Sequence, residues 1–325
     1  MWGPADAAGE ASLQRSAPIV RTTISPRNEV HEVVLGPLEP GRAYRYHVEV
    51  GPWQSQEWII RGPSDAEPLK IAWTADNQIG WQTFRGMLPA IAASKPDFIV
   101  LAGDIVQHGE MLREWQTEWF STLAVADFGQ TTPVYFARGN HDGEHALSYA
   151  FTTLPGNEAW YAFTRANVRF IVLDTEAENG VVPEQLAWLE AELASPASKD
   201  ADFRVVSFHK TPFSNRWSNA KSTYDGEDWV RDNWVPEFKR LGVDLVVAGH
   251  THAYQRIDKD GVRYVTVGGA GGRIDTYRTG HWPLDKDILV HHWAMMEIGD
   301  RRIHWVARDE GGKVIDEFTL RARRR

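Results

Sequence analysis

Seven short apolar runs, most of them stopping at a residue that can hold a cation, constrain this chain more than any other feature. They are Leu69–Ala75 (LKIAWTA), Asp97–Gly103 (DFIVLAG), Pro133–Gly139 (PVYFARG), Val168–Thr175 (VRFIVLDT), Phe203–His209 (FRVVSFH), Val243–His250 (VDLVVAGH) and Val262–Gly269 (VRYVTVGG). Short runs that are apolar on both faces and bounded by Gly, Asp or Pro must be covered on both sides, so they read as buried strands of a layered α/β structure. Helical patterns lie between them. The clearest is Pro183–Leu193 (PEQLAWLEAEL), where Leu186, Leu189 and Leu193 share a face and Pro183 suits the first turn.

The residues at the run ends carry the chemistry. Asp76 follows the first run and Asp104 the second; Asn140, His141 and Asp142 follow the third; His209 closes the fifth; His250 and His252 follow the sixth. In open α/β sheets ligand sites lie outside the carboxyl ends of strands. Each residue alone has an ordinary structural explanation, such as a Gly-Asp turn, an Asx-turn in the GNHD loop or a hydrogen-bonded surface histidine. Five successive strand ends in phase are expected to form one site.

Composition narrows what that site holds. The 325-residue chain has no cysteine, which excludes disulfide frameworks, thiolate nucleophiles, iron–sulfur clusters and thiolate zinc sites. Imidazole, carboxylate and amide oxygen remain, a donor set for Fe, Zn, Mn or Co. There are too many donors for one tetrahedral ion with an open position, whereas two ions roughly 3.5–4 Å apart and sharing a carboxylate would use them. Such a pair suits in-line displacement at phosphorus. The formal net charge of −9 argues against a phosphate-grasping surface for nucleic acid, so positive charge for phosphate chemistry must come from bound metals. No run approaches the roughly 20 apolar residues of a membrane span, and the N-terminus lacks the basic and apolar regions of a signal peptide; no membrane role is expected. Compartment and oligomeric state are not readable.

The first part of the chain has a different texture. An Ala- and Gly-rich polar tail runs to about Ser16. β-like segments around Val30–Val34, Tyr44–Val50 and Trp58–Ile60 follow, then a linker, Arg61–Pro68. Two units are expected: residues 1–66, the tail with a short β module, and residues 67–325, the larger unit, with β texture returning from His292 to Leu320. The basic end, Arg321 to Arg325, reads as a solvated terminus.

At this point the motifs carry a resemblance. Asp76, Gly103-Asp104, Gly139-Asn140-His141-Asp142, His209 and Gly249-His250-Thr251-His252 resemble the ordered signature of calcineurin-like metallophosphoesterases. The surrounding text (WYAFTRANVRFIVLDTE, PEQLAWLEAEL, FHKTPFSN, VDLVVAGHTHAYQRI, VRYVTVGGAGG) looks like the purple acid phosphatase branch, over roughly residues 28 to 320. LEPGRAYRYHVEVG resembles the last strands of the fibronectin-III-like domain that precedes such catalytic domains, here full or partial. The resemblance implies an α/β fold, a layered β-sandwich flanked by helices. It also implies a metal-dependent phosphoric ester hydrolase acting on small phosphoesters by in-line attack of a metal-activated water. Asp104 would bridge two metals, one also held by Asp76 and His252, the other by Asn140, His209 and His250. His141 would sit over the leaving group, with Asp142 orienting it. Monoester, diester and triester substrates all stand, as does, from another class, a non-catalytic metal-binding protein with a degraded first site.

Two positions depart from the family pattern. Where many members have His two residues after the first Asp, this chain has Gln78. Where purple acid phosphatases have Tyr three residues after the bridging Asp, it has Gln107. Gln78 is expected either to coordinate the first metal or to hydrogen-bond a water on it; Gln107 and His108 are the other ways to fill the gap. Further candidates are Arg216 as a phosphate holder, Trp81, Trp217 and Trp282 as a partly aromatic pocket, and His281, His291 and His292 as either pocket-lining or packing residues. GGAGG (Gly268–Gly272) lacks the Lys of a phosphate-binding loop and reads as a tight loop near the site.

Overall fold

The computed structural model describes residues 2–4, 19–25, 28–176 and 182–322. Most of the expected N-terminal tail and Arg323, Arg324 and Arg325 lie outside the described residues.

Alternate residues of the first apolar run enter different cores, which is why the run shows no polar face. Leu69, Ile71 and Trp73 pack into a central cluster, while Ala72 faces the other way, among residues of a flanking helix. Among the described residues the strands of the two large sheets are β1 (Leu69–Thr74), β2 (Phe98–Leu101), β3 (Val134–Phe136), β4 (Tyr161–Arg165), β5 (Val168–Val172), β6 (Phe203–Lys210), β7 (Leu245–Gly249), β8 (Tyr254–Lys259), β9 (Val262–Val267), β10 (Lys286–Ile288), β11 (His292–Gly299), β12 (Arg302–Asp309) and β13 (Val314–Arg321). They form two mixed sheets, ordered β3-β2-β1-β11-β12-β13 and β4-β5-β6-β7-β9-β8-β10. In the first, β1, β2 and β3 are parallel and the last three strands form an antiparallel meander against β1. In the second, β5, β6, β7 and β9 are parallel and the edges are antiparallel.

The sheets face each other over Ile71, Trp73, Phe98 and Trp305 from one and Phe170, Val205, Val247 and Val265 from the other. Helix α1 (Trp81–Ala93) covers the outside of the first sheet with Phe84, Met87, Leu88 and Ile91. Helices α2 (Pro183–Leu193) and α3 (Val235–Leu241) cover the second, placing Leu189, Leu193 and Phe238 against Val206, Phe208 and Val246. Both sheets are thus buried on both faces where their strands are parallel, as the apolar runs required. The outcome is the layered metallophosphoesterase fold. Helix α2 begins and ends where the leucine spacing and Pro183 placed it.

The N-terminal part forms small sheets: Trp2–Pro4, Ala43–Tyr46 and Trp58–Arg61 pair together, Ile19–Ser25 pairs with Asn28–Val33, and Glu49–Val50 pairs with Trp53–Gln54. The strand expected over Tyr44–Val50 is split, because Val48 turns its amide to the Ser55 hydroxyl (2.9 Å) instead of continuing the ladder. This part docks on the larger unit through Trp58 Nε1 and Gln56 Nε2, both donating to Asp127 (3.1 and 3.0 Å), and through Tyr46, whose hydroxyl donates to the Gln130 carbonyl (2.7 Å). Arg165 adds an ion pair to Asp65 at 2.9 Å.

His292 is fully buried at the start of β11, edge-on to Tyr254, with Nδ1 2.9 Å from the Val290 carbonyl and no partner for Nε2. It is a packing residue. Burial holds its imidazole neutral down to about pH 4, whereas in the unfolded chain it takes up a proton near 6.5. Between those values the unfolded state binds the extra proton, so this residue costs stability as pH falls, up to about 3 kcal/mol at pH 4. Urea unfolding from pH 7 to pH 4 is expected to show a shallower loss of stability for His292→Gln than for the wild type; parallel curves would refute it.

Candidate metal centre

The carboxyl ends of β1, β2, β3, β6 and β7 converge at one edge of the two-sheet stack: Asp76, Gln78, Asp104, Asn140, His250 and His252 lie in the segments that follow the strands there, and His209 in the last residues of β6. Turning these side chains inward requires unusual backbone: Asp76 (φ 64°), Gln78 (φ 27°), Asp104 (φ 56°) and His250 (φ 70°) all occupy the left-handed region. Each such residue costs on the order of 1–3 kcal/mol and persists only where its surroundings enforce it, a pattern typical of functional sites. The loops interlock. The Asp76 amide donates to the Gly103 carbonyl (3.0 Å), and the Gly271 and Gly272 amides donate to the Asp76 carbonyl (3.0 and 2.7 Å), so GGAGG is a tight loop bracing the first aspartate. Two glycines are required for close approach. A Cβ on Gly139 would lie 2.2 Å from Asp104 Oδ1, and one on Gly103 (φ +94°) would lie 2.3 Å from His209 Nδ1.

Around His209 Nε2 the donors crowd. Asp104 Oδ2 is 3.1 Å away, Asn140 Oδ1 3.2 Å and His250 Nδ1 3.2 Å. His209 Nδ1 lies 2.8 Å from the Ala102 carbonyl, which can only accept; that nitrogen carries a proton, and Nε2 faces the other donors. His252 is held likewise: Nδ1 is 2.8 Å from the Arg273 carbonyl, its backbone amide donates to Asp275 (2.8 Å), and Nε2 faces Asp76 Oδ1 at 3.5 Å. Asp76 also accepts from the His250 amide at 2.9 Å. Asp104 lies between the two groups. It accepts from the His141 amide (2.8 Å) and from Gln78 Nε2 (2.5 Å), besides its contact with His209.

The electrostatics fit a cation site. Burial alone would raise the Asp104 carboxyl, but the His209 charge and hydrogen bond, then His141, outweigh it and hold it well below the carboxylate range. Burial would likewise strip His209 of its proton, yet the charge and hydrogen bond of Asp104, with Asp76, push it up to about 10. Burial and then the neighbouring His209 drive His250 far below 6.5. One proton thus serves a nest of four converging lone-pair donors. A divalent cation would satisfy all four at once, and metal binding releases such a proton. Among the described residues, Asp104, His209 and His250 form the one group of three or more imidazole and carboxylate side chains whose ligand atoms all lie within 4.8 Å of one another. The donor chemistry fits a cation at Asp104, Asn140, His209 and His250, with the carboxylate of Asp76 and the imidazole of His252 beside it at 3.5 Å from each other.

The remaining candidates separate. Gln78 is buried at the first site, its amide nitrogen turned to Asp104. Gln107 does not fill a metal position: its side-chain nitrogen is 3.0 Å and its carbonyl 2.8 Å from His141 Nδ1. His108 faces solvent, paired with Glu114 at 2.9 Å. Asp142, expected to orient His141, instead accepts from the backbone amides of Asp104, Ile105, Val106 and Gly139 at 2.8–3.2 Å. The physical reason is proximity: the loop after β2 aims its free amides at this carboxylate, while the His141 ring turns to Gln107. Arg216 is also otherwise engaged, bound to Asp287 at 2.8 Å on the two-residue ribbon that pairs Arg216–Trp217 with Tyr277–Arg278. Of the tryptophans, Trp217 packs 4.9 Å from the His250 ring, whereas Trp282 packs on Phe213 in the flanking core. His291 meets the Gly269 carbonyl at 3.2 Å. Asp275 and the carbonyls of Ala102 and Arg273 were not singled out from the sequence; all three act on backbone or through backbone, which leaves no residue-type signal.

Residues 69–254 match the model of the calcineurin-like phosphoesterase family, and the chain belongs to it. Similar proteins named purple acid phosphatases support a phosphoric ester hydrolase. The chain is 25% identical over 305 residues to purple acid phosphatase 18 of Arabidopsis thaliana, covering 85% of this chain and 67% of that one. It is 27% identical over 293 residues to probable purple acid phosphatase 20 of the same plant, covering 82% and 66%. The chain thus spans about two thirds of the length of these relatives. The fold is similar to that of a purple acid phosphatase from yellow lupin (Lupinus luteus) seeds, with a TM-score of 0.83 at 18% identity, covering 98% of this chain and 68% of that one. No helix among the described residues is long and apolar enough to cross a membrane.

Proposed function

We propose that the chain is a dinuclear metal-dependent hydrolase of small phosphate esters, its ions held by Asp76, Asp104, Asn140, His209, His250 and His252. The observation that carries this reading is the convergence of Asp104, Asn140 and His250 donors within 3.2 Å of His209 Nε2. When bound, the two ions supply positive charge to the phosphoryl oxygens and lower the pKa of the attacking water, as metal pairs do in in-line displacement. The chain's own residues position the rest. The ring nitrogens of His209 and His252 are aimed by the Ala102 and Arg273 carbonyls, and Gln78 steadies the shared carboxylate. His141 Nδ1 lies 2.8 Å from the Gln107 backbone carbonyl and 3.0 Å from the Gln107 side-chain nitrogen, so Gln107 sets the orientation of the ring. In that orientation His141 would pass a proton to the departing ester oxygen.

Chelator treatment is expected to abolish turnover of p-nitrophenyl phosphate, and Mn, Co, Zn or Fe to restore it; activity that survives metal removal would refute the reading. Assaying its bis ester and a triester in the same preparation decides the ester class. One tightly bound ion with no turnover of any ester would favour the non-catalytic alternative. With Gln107 on His141 instead of a Tyr ligand, the iron-loaded protein is expected to be colourless or pale, which a visible absorption spectrum checks.

A further inference from the structure

Trp217 belongs to the two-residue ribbon beside the metal centre, and it is half-buried rather than enclosed. Its ring packs directly on a candidate ligand. The indole lies 4.9 Å from the His250 ring, which itself stands edge-on to His209 at 5.0 Å. His250 is half-buried too, so solvent reaches both residues of this contact. On another side the indole packs on Tyr224 at 4.2 Å, and Tyr224 stands edge-on to His250 at 5.5 Å. The three rings brace one another and fix the indole beside the ligand.

Both strands of the ribbon are anchored. On one, Arg216 pairs with Asp287 at 2.8 Å and its carbonyl accepts from Ser214 Oγ at 3.1 Å. On the other, Asp275 grips His252 twice: its amide donates to the His252 carbonyl (3.1 Å) and its carboxylate accepts from the His252 amide (2.8 Å). Tyr277 follows two residues later and is the register partner of Trp217. Side chains directly opposite each other in an antiparallel pair leave the same face. The face that carries Trp217 to His250 therefore carries a second aromatic, 46% exposed. Arg216 and Arg278, the neighbouring pair, alternate to the other face. The ribbon thus turns ring surface, not guanidinium, toward His250. A ring already held in place costs little to order when a ligand arrives, and aromatic pairs attract beyond the area they bury.

Resting on the phosphoesterase reading, we infer that Trp217 is a specificity residue: its indole receives the ring of an aryl alcohol while the phosphoryl group occupies the metal centre, so the chain selects aryl over alkyl phosphoesters. The test compares the metal-loaded wild type with Trp217→Leu and Trp217→Phe. The substrates are naphthyl phosphate and glycerol phosphate, each also as its methyl diester. Trp217→Leu is expected to lower the ratio of kcat/KM for the naphthyl over the glycerol ester about tenfold, mainly through KM. Trp217→Phe keeps a ring and should recover most of that ratio. Metal content and inhibition by inorganic phosphate should stay as in the wild type, because neither involves the alcohol. An equal fall for both esters, or a loss of metal, would overturn the inference and leave Trp217 as packing for His250. A wild type that turns over both esters in a ratio neither variant moves shows that Trp217 alone has been misassigned. A wild type that hydrolyses none of the four esters removes the phosphoesterase reading, and this inference with it.

Discussion

Asp104→Asn is expected to remove nearly all hydrolytic activity, on the order of 10³-fold or more, while leaving a folded protein. The magnitude follows from what one oxygen of this residue does. Asp104 Oδ2 is 3.1 Å from His209 Nε2 and accepts from Gln78 Nε2 at 2.5 Å, so it faces both halves of the ligand set. Removing a single preorganised group that stabilises developing charge already costs about 10²–10³ in rate; on the proposed dinuclear reading Asp104 serves both cations, so its loss takes away more. Asn keeps the shape and the oxygen that accepts from the His141 amide at 2.8 Å, so the loop retains its anchor. It cannot supply a second anionic oxygen, and its NH2 group would meet the Gln78 amide nitrogen donor to donor. Metal stoichiometry by elemental analysis should fall well below two per chain, with circular dichroism unchanged. A folded variant that keeps full activity or its full complement of metal would dismiss the bridging role of Asp104.

Much of this site was legible because its chemistry is written in residue types at strand ends. A run such as FRVVSFH needs cover on both faces to exist, and a strand so covered has few places for His209 other than its exit. That argument located Asp76, Asp104, Asn140, His209, His250 and His252 without geometry, and all six converge. It could not say that the parallel strands divide between two sheets, because a two-sided apolar run looks the same in either. The C-terminal β texture was visible, but not that β11 would pair with β1 and close the first sheet. The Gln78 orientation was equally hidden, since an amide offers both a donor and an acceptor and only the neighbouring Asp104 decides which one faces inward.

The largest departure from the sequence reading concerns Asp142, and it makes the second strong expectation. Adjacent His and Asp in the GNHD segment suggest a carboxylate–imidazole pair, but adjacency along the chain says nothing about direction. The Asp142 carboxylate is fully buried and collects four backbone amides, three from consecutive residues Asp104, Ile105 and Val106 and one from Gly139. It therefore ties the loop carrying Asp104 to the loop carrying Asn140, two residues proposed as ligands. Burial, then the charge of Asp104, pushes the Asp142 carboxyl up to about 7 even though the amide donors oppose this; the residue is a costly anchor kept for its geometry. Asp142→Ala leaves four buried amides without an acceptor at roughly 1–3 kcal/mol each before relaxation, so a loss of about 3–5 kcal/mol in unfolding free energy is expected. Metal affinity should fall with it. Asp142→Asn should be intermediate, because one oxygen remains while the new NH2 opposes amide donors. A residue acting through His141 would behave differently: it would change the pH profile of turnover and leave stability and metal binding intact. Denaturant unfolding with metal titration of both variants separates the two, and a stable Asp142→Ala protein with normal metal affinity and a shifted pH profile would restore the His141 pairing.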